Sequence, residues 1–367
     1  MIDSFFLEIP KNVFEFTTDL QRGEIFKFNP VKSGATSQGK KIELGFSCYA
    51  LKIYFMTGEW DKVSNIEKQN WINFINSFQQ QSSNFPEGSF VDYSYVDSII
   101  NGNYKDNVKD LIKSSLSKLK LKQYESRNQK LAKSINAETK QAISTLNEVG
   151  HKSLYKVPFP YENEEFLSEY LEDLNWMNPW SSGAQVSSLC VYSKLNDNAY
   201  SQYLYNFLTS LNNQETGSYH HQRLNNSREI INGAMKVISG LDWLDMPIHN
   251  PKRLIDFCLR NVPVSEGCDI VDFVYVLYKC SKQVDYKKKE INKLLINILS
   301  DLKKLYISKD GSFSYFVNKS QTHYYGAEIS KGNNTADLHA SVLGLWALLM
   351  ILDNLELMEE KYKIIKP

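Results

Sequence analysis

Two kinds of helical segment alternate along the sequence, and this alternation constrains the fold more than any other feature. One kind is amphipathic, with charged residues opposite an apolar stripe. It covers residues 165–174, 200–211, 251–262 and 286–307. The other kind carries little charge on any face and covers residues 46–55, 137–149, 183–195, 233–244, 267–280 and 336–352. Because a helix that is apolar on most faces must be enclosed on most faces, the second kind is expected inside the first.

The spacing of the second kind indicates a repeated hairpin. Small residues at positions 137, 183, 233, 267 and 336 open successive segments at intervals of 46, 50, 34 and 69 residues. The last interval has room for two units of about 35 residues, the period of helical-hairpin arrays. Half-exposed helices alternating with enclosed ones are what two concentric rings require. We therefore predict an all-α fold, an α/α toroid with alternating inner and outer helices around a central cavity, formed by residues 1–367 as a single domain.

A short turn motif recurs between the helices. Gly-Ser-aromatic sequences occupy residues 88–90, 217–219 and 311–313, and Gln81 and Gln214 precede two of them. Glycine permits a left-handed turn, and the aromatic side chain can hold two hairpins together. With these turns, most of residues 40–355 resembles the α/α-toroid superfamily of squalene-type terpenoid cyclases and protein prenyltransferase β subunits, whose hairpins repeat a Gln…Asp-Gly-Ser-Trp or Asp-Gly-Gly-Phe motif.

The resemblance implies an enzyme with a central cavity, but its catalytic motifs are incomplete. Protein prenyltransferases bind zinc through an Asp-x-Cys pair and a histidine near the start of a late inner helix, a position that His339 resembles. Cys268-Asp269 has the residue types of that pair in another order and spacing. The Asp-x-Asp-Asp motif of class II terpenoid cyclases does not occur. Neither activity transfers intact, and we expect no metal and no cofactor.

Composition and charge exclude several other functions. Lys plus Arg equals Asp plus Glu at 42 each, which is atypical of proteins that attract nucleic acid. Five cysteines without a Cys-x-x-Cys pair favour a reducing compartment, and the amino-terminal residues lack the basic start of a signal peptide. The longest apolar run without a formal charge, residues 338–352, is shorter than the roughly 18–20 residues that span a bilayer. We expect a cytoplasmic protein without an integral membrane segment; the oligomeric state is not indicated.

One segment fits the alternation less well. Residues 104–133 contain nine Lys or Arg and three acids. They predict a basic amphipathic helix, which is either an outer helix or an insertion, and which could touch an acidic partner or a membrane surface.

The catalytic candidates are acids and a histidine at the starts of inner helices. Asp337 and His339 open the most apolar segment, while Asp269 and Asp272 lie three residues apart on one helix face. A helix amino terminus lowers the pKa of an acid and opposes the charging of a histidine, whereas burial raises the pKa of the acid. A simple helix cap is an equally good explanation of Asp337.

The substrate-binding candidates lie at the same end of two other inner segments. Trp180 could stack on a sugar or stabilise a carbocation, although a hairpin contact explains it as well. Neighbouring histidines in extended chain point in opposite directions, so they are not expected to share one metal. The full set is Trp180, Gln185, Tyr219, His220, His221, Arg228 and Asn232.

Three functions remain open from the sequence. The first is an enzyme acting on a small-molecule or lipid-like substrate, isoprenoid-like or otherwise largely apolar, and the superfamily resemblance places it first. The second is a carbohydrate-active α/α-barrel enzyme of the glycoside hydrolase or polysaccharide lyase type, which carboxylates about 5–10 Å apart would favour. The third is a non-catalytic toroid that binds a ligand or a protein, which a cavity filled by Phe273, Tyr275 and Trp346 would favour.

Overall fold

The computed structural model describes residues 3–81, 85–100, 126–221, 224–263 and 266–367. Helices form most of this part of the chain. In chain order they are α1 (Phe5–Asp19), α2 (Leu44–Met56), α3 (Asn65–Asn76), α4 (Tyr93–Ile100), α5 (Arg127–Glu148), α6 (Glu164–Asp173), α7 (Pro179–Leu195), α8 (Ser201–Leu211), α9 (Ser227–Trp243), α10 (Pro251–Arg260), α11 (Cys268–Gln283), α12 (Lys288–Leu305) and α13 (Leu338–Asn354).

Short antiparallel strand pairs join some of these helices. They are β1 (Gln21–Arg22) with β2 (Glu24–Phe28), β3 (Tyr306–Ile307) with β4 (Ser312–Phe313), and β5 (His323–Tyr324) with β6 (Ala327–Glu328). Single turns of 3₁₀ helix cover Gly39–Lys41 and Glu59–Lys62.

Six helices form a closed inner ring. Each of α2, α5, α7, α9, α11 and α13 packs against the next in this order, and α13 returns to pack against α2. Nearly every residue of α2 and α13 is buried, as expected for helices that are apolar on most faces. The ring confirms the predicted α/α toroid, and each inner helix overlaps one of the six weakly charged segments.

The outer helices carry the amphipathic pattern. Helices α1 and α12 pack against α13, α3 against α2, α8 against α7, and α10 against α11. On α12 the buried positions Ile291, Leu295, Ile298 and Leu302 recur at helical spacing, and lysines occupy the opposite face. These helices cover the outside of the ring while leaving its centre open.

The Gly-Ser-aromatic turns follow the outer helices α3, α8 and α12. Their glycines, Gly88, Gly217 and Gly311, have φ angles of 74°, 75° and 71°, which is the left-handed region. The amide side chains that bind these turns lie two residues before the predicted glutamines. Gln79 Nε2 donates to the carbonyl oxygen of Gly88 at 2.7 Å, and Asn212 Nδ2 donates to that of Gly217 at 2.9 Å.

The basic segment predicted over 104–133 falls mostly outside the described residues. Its last part, from residue 126, forms the start of α5, where Ser126 and Gln129 make a capping box. This cap explains why α5 begins ten residues before the predicted start of its segment. Its first turns reach beyond the apolar core to the rim of the ring.

The five cysteines are unpaired, and four of them are buried. In the ranges described above, no helix combines the length and apolar character needed to cross a membrane.

Candidate functional site

A cavity of about 880 Å³ occupies the centre of the ring. All six inner helices line it, together with the loop around β5 and β6 and the residues Ile365 and Pro367 near the end of the sequence. Its aromatic side chains are Tyr49, Trp180, Tyr324, Tyr325 and Trp346. Its uncharged polar side chains include Ser134, Asn136, Gln141, Ser144, Gln185, Ser188 and Gln321. The wall is therefore a mixture of rings, amides and hydroxyls.

Asp272 is the predicted acid that the fold brings to the cavity. It lies on the second turn of α11 and is 1% exposed, and its Oδ2 has no hydrogen-bond partner among the described residues. Burial raises the pKa of Asp272 to about 6, and the nearby charge of Lys236 opposes this rise. A buried carboxyl with a free oxygen and such a pKa can hold a proton at mildly acidic pH.

Asp269, three residues earlier, faces a different environment and does not line the cavity. Its carboxylate pairs with Arg228 Nε at 2.7 Å and accepts a hydrogen bond from Asn232 Nδ2 at 2.7 Å. These contacts join the starts of α9 and α11. Three predicted site residues, Asp269, Arg228 and Asn232, thus meet, but at the rim of the ring rather than around its centre.

Asp337 is the N-cap of α13 and is also absent from the cavity wall. Its Oδ1 accepts from the backbone N–H of Ala340 at 2.8 Å, while Oδ2 accepts from those of Tyr315 at 2.9 Å and Gln321 at 3.0 Å. Burial raises the pKa of Asp337 to about 6, although these three donors oppose the rise. Because both oxygens are occupied, the geometry favours the cap over a catalytic role.

His339 lies on the cavity wall two residues further along. Its ring stacks on Tyr49 of α2, with centroids 4.6 Å apart and planes 12° apart. Its Nδ1 lies 2.9 Å from Oε1 of Gln321, and the tautomer with the proton on Nδ1 donates this hydrogen bond and has Nε2 as an acceptor. Burial, followed by the charge of Lys236, lowers the pKa of His339 to about 3, so the ring is neutral.

Trp180 and Gln185 both reach the cavity wall, as predicted for substrate-binding residues. Trp180 is 41% exposed at the start of α7, and its ring makes no contact with another aromatic side chain in the described part of the chain. Gln185 accepts a hydrogen bond from the hydroxyl of Tyr170 at 2.7 Å. An exposed tryptophan at the rim of a cavity is placed to stack on a ligand.

Residues 219–221, which we call the Tyr219 loop, do not line the cavity. The hydroxyl of Tyr219, which is fully buried, lies 3.0 Å from Nδ1 of His249. His220 is 3% exposed, with Nε2 2.9 Å from the hydroxyl of Thr216, while His221 is exposed. Burial lowers the pKa of His220. The predicted pair thus splits between the inside and the outside of the turn, as adjacent side chains do in extended chain.

Three lysines of the inner helices were missed by the sequence analysis. Lys52 of α2, Lys140 of α5 and Lys236 of α9 line the cavity, and we call them the lysine cluster. Lys52 and Lys236 are charged residues in otherwise apolar or small-residue stretches, which is the signal that could have identified them. Lys140 has the polar neighbours Glu138 and Gln141 and gives no such signal. Burial, followed by the charge of Lys236, lowers the pKa of Lys140 to about 7.

A buried acid also escaped the sequence analysis. Glu138 of α5 is 1% exposed, and its Oε1 accepts a hydrogen bond from the hydroxyl of Tyr324 on the cavity wall. Burial raises the pKa of Glu138 well above its ordinary value. Glu138 does not itself line the cavity, so it supports Tyr324 from behind.

The residues that resembled a zinc site do not fit one. Cys268 Sγ lies 3.2 Å from the hydroxyl of Tyr315, and burial raises the pKa of this thiol to about 11. His339 uses one ring nitrogen on Gln321. Throughout the described ranges, no group of three or more His, Cys, Asp or Glu is arranged to hold a metal ion.

No family model matches the sequence. No curated protein matches it either. Among solved structures, the α-1,6-mannanase GH76A of Salegentibacter sp. HEL1_6 is 11% identical with a TM-score of 0.43, covering 96% of this chain and 100% of that one. An inactive variant of that enzyme in complex with α-1,6-mannotetrose gives 11% identity and a TM-score of 0.42, covering 95% of this chain and 99% of the other. Likeness at this distance says nothing by itself about the substrate.

The prediction of an isoprenoid-like or largely apolar substrate is wrong. The cavity itself gives the physical reason, because its wall carries lysines, a carboxyl, amides and hydroxyls among the aromatic rings. Covering these groups with an apolar chain would remove them from water without offering hydrogen bonds in return. The likeness to terpenoid cyclases and prenyltransferases is therefore limited to the α/α toroid.

Proposed function

We propose that the protein is a carbohydrate-active enzyme that binds a glycan in the central cavity and cleaves it there. The observation that carries this proposal is the composition of the cavity wall. Amide and hydroxyl side chains such as Asn136, Gln141 and Ser188 share the wall with the rings of Trp180 and Trp346. A sugar presents hydroxyls at its edge and C–H groups on its faces, so it needs both kinds of partner.

The size of the cavity and its unsatisfied groups support this proposal. A volume of about 880 Å³ lies within the range of roughly 300–1,000 Å³ typical of ligand pockets. Two polar atoms of lining residues, Asp272 Oδ2 and Trp346 Nε1, have no hydrogen-bond partner among the described residues. Buried polar atoms are normally paired, so these two indicate groups that a ligand would complete.

Asp272 is the proposed proton donor. Cleavage of a glycosidic bond by hydrolysis or by elimination leaves an oxygen that must take up a proton. The Asp272 carboxyl, with its pKa raised to about 6, can supply that proton below neutral pH. It is the one carboxyl among the described lining residues, so a second carboxylate of the kind most glycosidases use is not found there. The charged groups that act on Asp272 are Lys236, Asp269 and Arg228.

Asp337, Asp269 and the Tyr219 loop have no assigned part in the chemistry. Asp337 holds Gln321, which in turn holds the His339 ring, so we propose Asp337 as a positioning residue. A cytoplasmic location and a single domain stay predictions.

The test is a search for glycan cleavage followed by a single substitution. The purified protein is incubated with neutral and acidic oligosaccharides, including α-1,6-mannotetraose, and the products are separated by mass. Asp272→Asn should reduce the rate by about 10²- to 10⁴-fold, the usual contribution of a general acid. Asp285→Asn, an exposed acid away from the cavity, is the matched control. Cleavage that persists in Asp272→Asn would remove Asp272 from the reaction.

The products also show whether the reaction is hydrolysis or elimination, and the absence of products tests for a non-catalytic protein. Hydrolysis adds the mass of water to the products, whereas elimination leaves a carbon–carbon double bond in one of them. Binding of an oligosaccharide without cleavage would instead support the non-catalytic toroid. If no oligosaccharide is bound or cleaved, the proposed function is wrong.

A further inference from the structure

The lysine cluster brings three cations together deep in the cavity. Lys140 Nζ, in the middle, donates to the hydroxyls of Ser187 and Ser239, the latter at 2.9 Å. These two hydroxyls are 2.7 Å apart and connect α7 with α9. Lys52 Nζ donates to the hydroxyl of Ser144 at 2.8 Å. Lys52 and Lys140 are therefore held in place by hydroxyl groups on three neighbouring inner helices, α5, α7 and α9.

No carboxylate of the described residues forms an ion pair with this cluster, although Glu148, Asp242 and Asp272 act on it from a longer distance. Among the described residues, Lys52, Lys140 and Lys236 form no ion pair within 4 Å, and Lys236 makes no hydrogen bond through its side chain. The described wall of the cavity holds six Lys or Arg side chains and one carboxyl, Asp272. Like charges in a partly enclosed space repel each other, and an unpaired buried charge is costly. An anion within the cavity would remove both costs.

Further cationic side chains line the cavity between the lysine cluster and the rim, along one face of α5. Arg127, Lys130, Lys133 and Lys140 of α5 all line the cavity at helical spacing. From Lys130 to Lys140 the helix rises about 15 Å, so this face follows the depth of the cavity. The arrangement suits an extended ligand with several negative groups better than a single small anion.

We infer that the glycan is anionic, and that the lysine cluster binds its carboxylate or sulfate groups; this inference rests on the proposed function. Lys236 contacts the anion directly because its ammonium group has no other partner in the described part of the chain. Lys140 contacts the anion with the donor capacity that Ser187 and Ser239 leave free, since an ammonium group has three N–H donors.

Binding should therefore change the protonation of Lys140. The charges of Lys236 and Lys52 act with burial to lower the pKa of Lys140, while Cys190 and Asp242 oppose them. A bound anion opposes that lowering too, so its binding raises the pKa. At pH 8, where the free amine of Lys140 predominates, binding should take up close to one proton. A lysine with a purely structural role would show no such uptake.

The experiment is calorimetric titration with three tetrasaccharides. Tetragalacturonate carries carboxylates, a heparin-derived tetrasaccharide carries sulfates as well, and α-1,6-mannotetraose is neutral. Each is titrated into the wild type and into Lys140→Gln, Lys236→Gln and the control Lys289→Gln, which alters an exposed lysine of α12. Titrations in two buffers of different ionisation enthalpy report the proton uptake, and sodium sulfate at matched ionic strength controls for general screening.

We expect at least one acidic tetrasaccharide to bind more tightly than the neutral one. Lys140→Gln and Lys236→Gln should each weaken that binding by about 10- to 100-fold, as loss of a charge-assisted hydrogen bond does, and Lys140→Gln should abolish the proton uptake. Binding of tetragalacturonate would identify carboxylate as the bound group, whereas binding of only the heparin-derived tetrasaccharide would identify sulfate.

Other outcomes separate the two proposals. Binding of the neutral tetrasaccharide alone, or acidic binding that both variants leave unchanged, overturns the anionic inference and leaves the proposed function standing. Failure of all three ligands to bind counts against both. Thermal unfolding of the variants checks the fold, and a stabilised Lys236→Gln would agree with removal of an unpaired charge.

Discussion

The imidazole of His339 lies flat against the ring of Tyr49, with centroids 4.6 Å apart and planes 12° apart. His339 is on α13 and Tyr49 on α2, the last and first helices of the inner ring, so this contact lies where the ring closes. Tyr315 also approaches this imidazole, with centroids 5.4 Å apart. A neutral histidine in contact with two aromatic rings gives a rigid part of the cavity wall.

Removal of the Tyr49 ring should weaken the packing of α2 against α13. Tyr49→Ala is expected to lower the free energy of unfolding by about 3–5 kcal/mol, as large-to-small changes of buried aromatic residues do. Tyr49→Phe keeps the stacked ring and should cost less than about 1.5 kcal/mol. Denaturant unfolding measures both, and equal losses in the two variants would show that the stacking is unimportant.

Asp337→Ala should destabilise the protein rather than act only on the reaction. The substitution leaves three backbone N–H groups, those of Tyr315, Gln321 and Ala340, without their acceptor. We expect a loss of about 2–4 kcal/mol, more than the roughly 1 kcal/mol of an ordinary cap. Asn226→Ala, which removes the single cap bond of α9, is the comparison. A loss no greater than in Asn226→Ala would contradict the role given to Asp337.

The rate of glycan cleavage should fall as the pH rises through about 6. Asp272 donates its proton in the reaction, so the active form lies below its pKa of about 6 and is lost above it. Burial raises this pKa; Lys236 and Arg228 lower it, and Asp269 raises it. Lys236→Gln removes a lowering charge and should move the descending limb of kcat/KM to higher pH. A limb that stays in place, or moves to lower pH, would contradict the assignment.

Two glycines with the same backbone angle test the turn motif. Gly217 has φ 75° and Gly150 has φ 76°, but a methyl group on Gly217 would lie 2.6 Å from the backbone nitrogen of Leu254, whereas nothing lies within 4 Å of that position at Gly150. Gly150→Ala should cost about 1–2 kcal/mol from the left-handed backbone alone. Gly217→Ala should cost clearly more, because the start of α10 must also move. Thermal unfolding of both proteins gives the difference, and similar losses would show that the close approach is unimportant.

The sequence by itself determined the order and kind of the helices. Amphipathic spacing and the absence of charge are local properties of a segment, and enclosure follows from them, so the two rings and the cavity could be predicted. The left-handed glycines could be predicted for the same reason, since Gly88, Gly217 and Gly311 mark turns whatever surrounds them. Trp180 and Gln185 were expected at the cavity because they open an inner segment.

Only the tertiary structure decided which polar residues share the site. Lys52, Lys140 and Lys236 are separated by 88 and 96 positions, and the closure of the ring is what brings them together. Asp269 and Asp272 look alike in sequence, yet one pairs with Arg228, while Oδ2 of the other has no hydrogen-bond partner among the described residues. The protonation and reactivity of such groups depend on burial and on neighbours from other helices, and a local pattern contains neither.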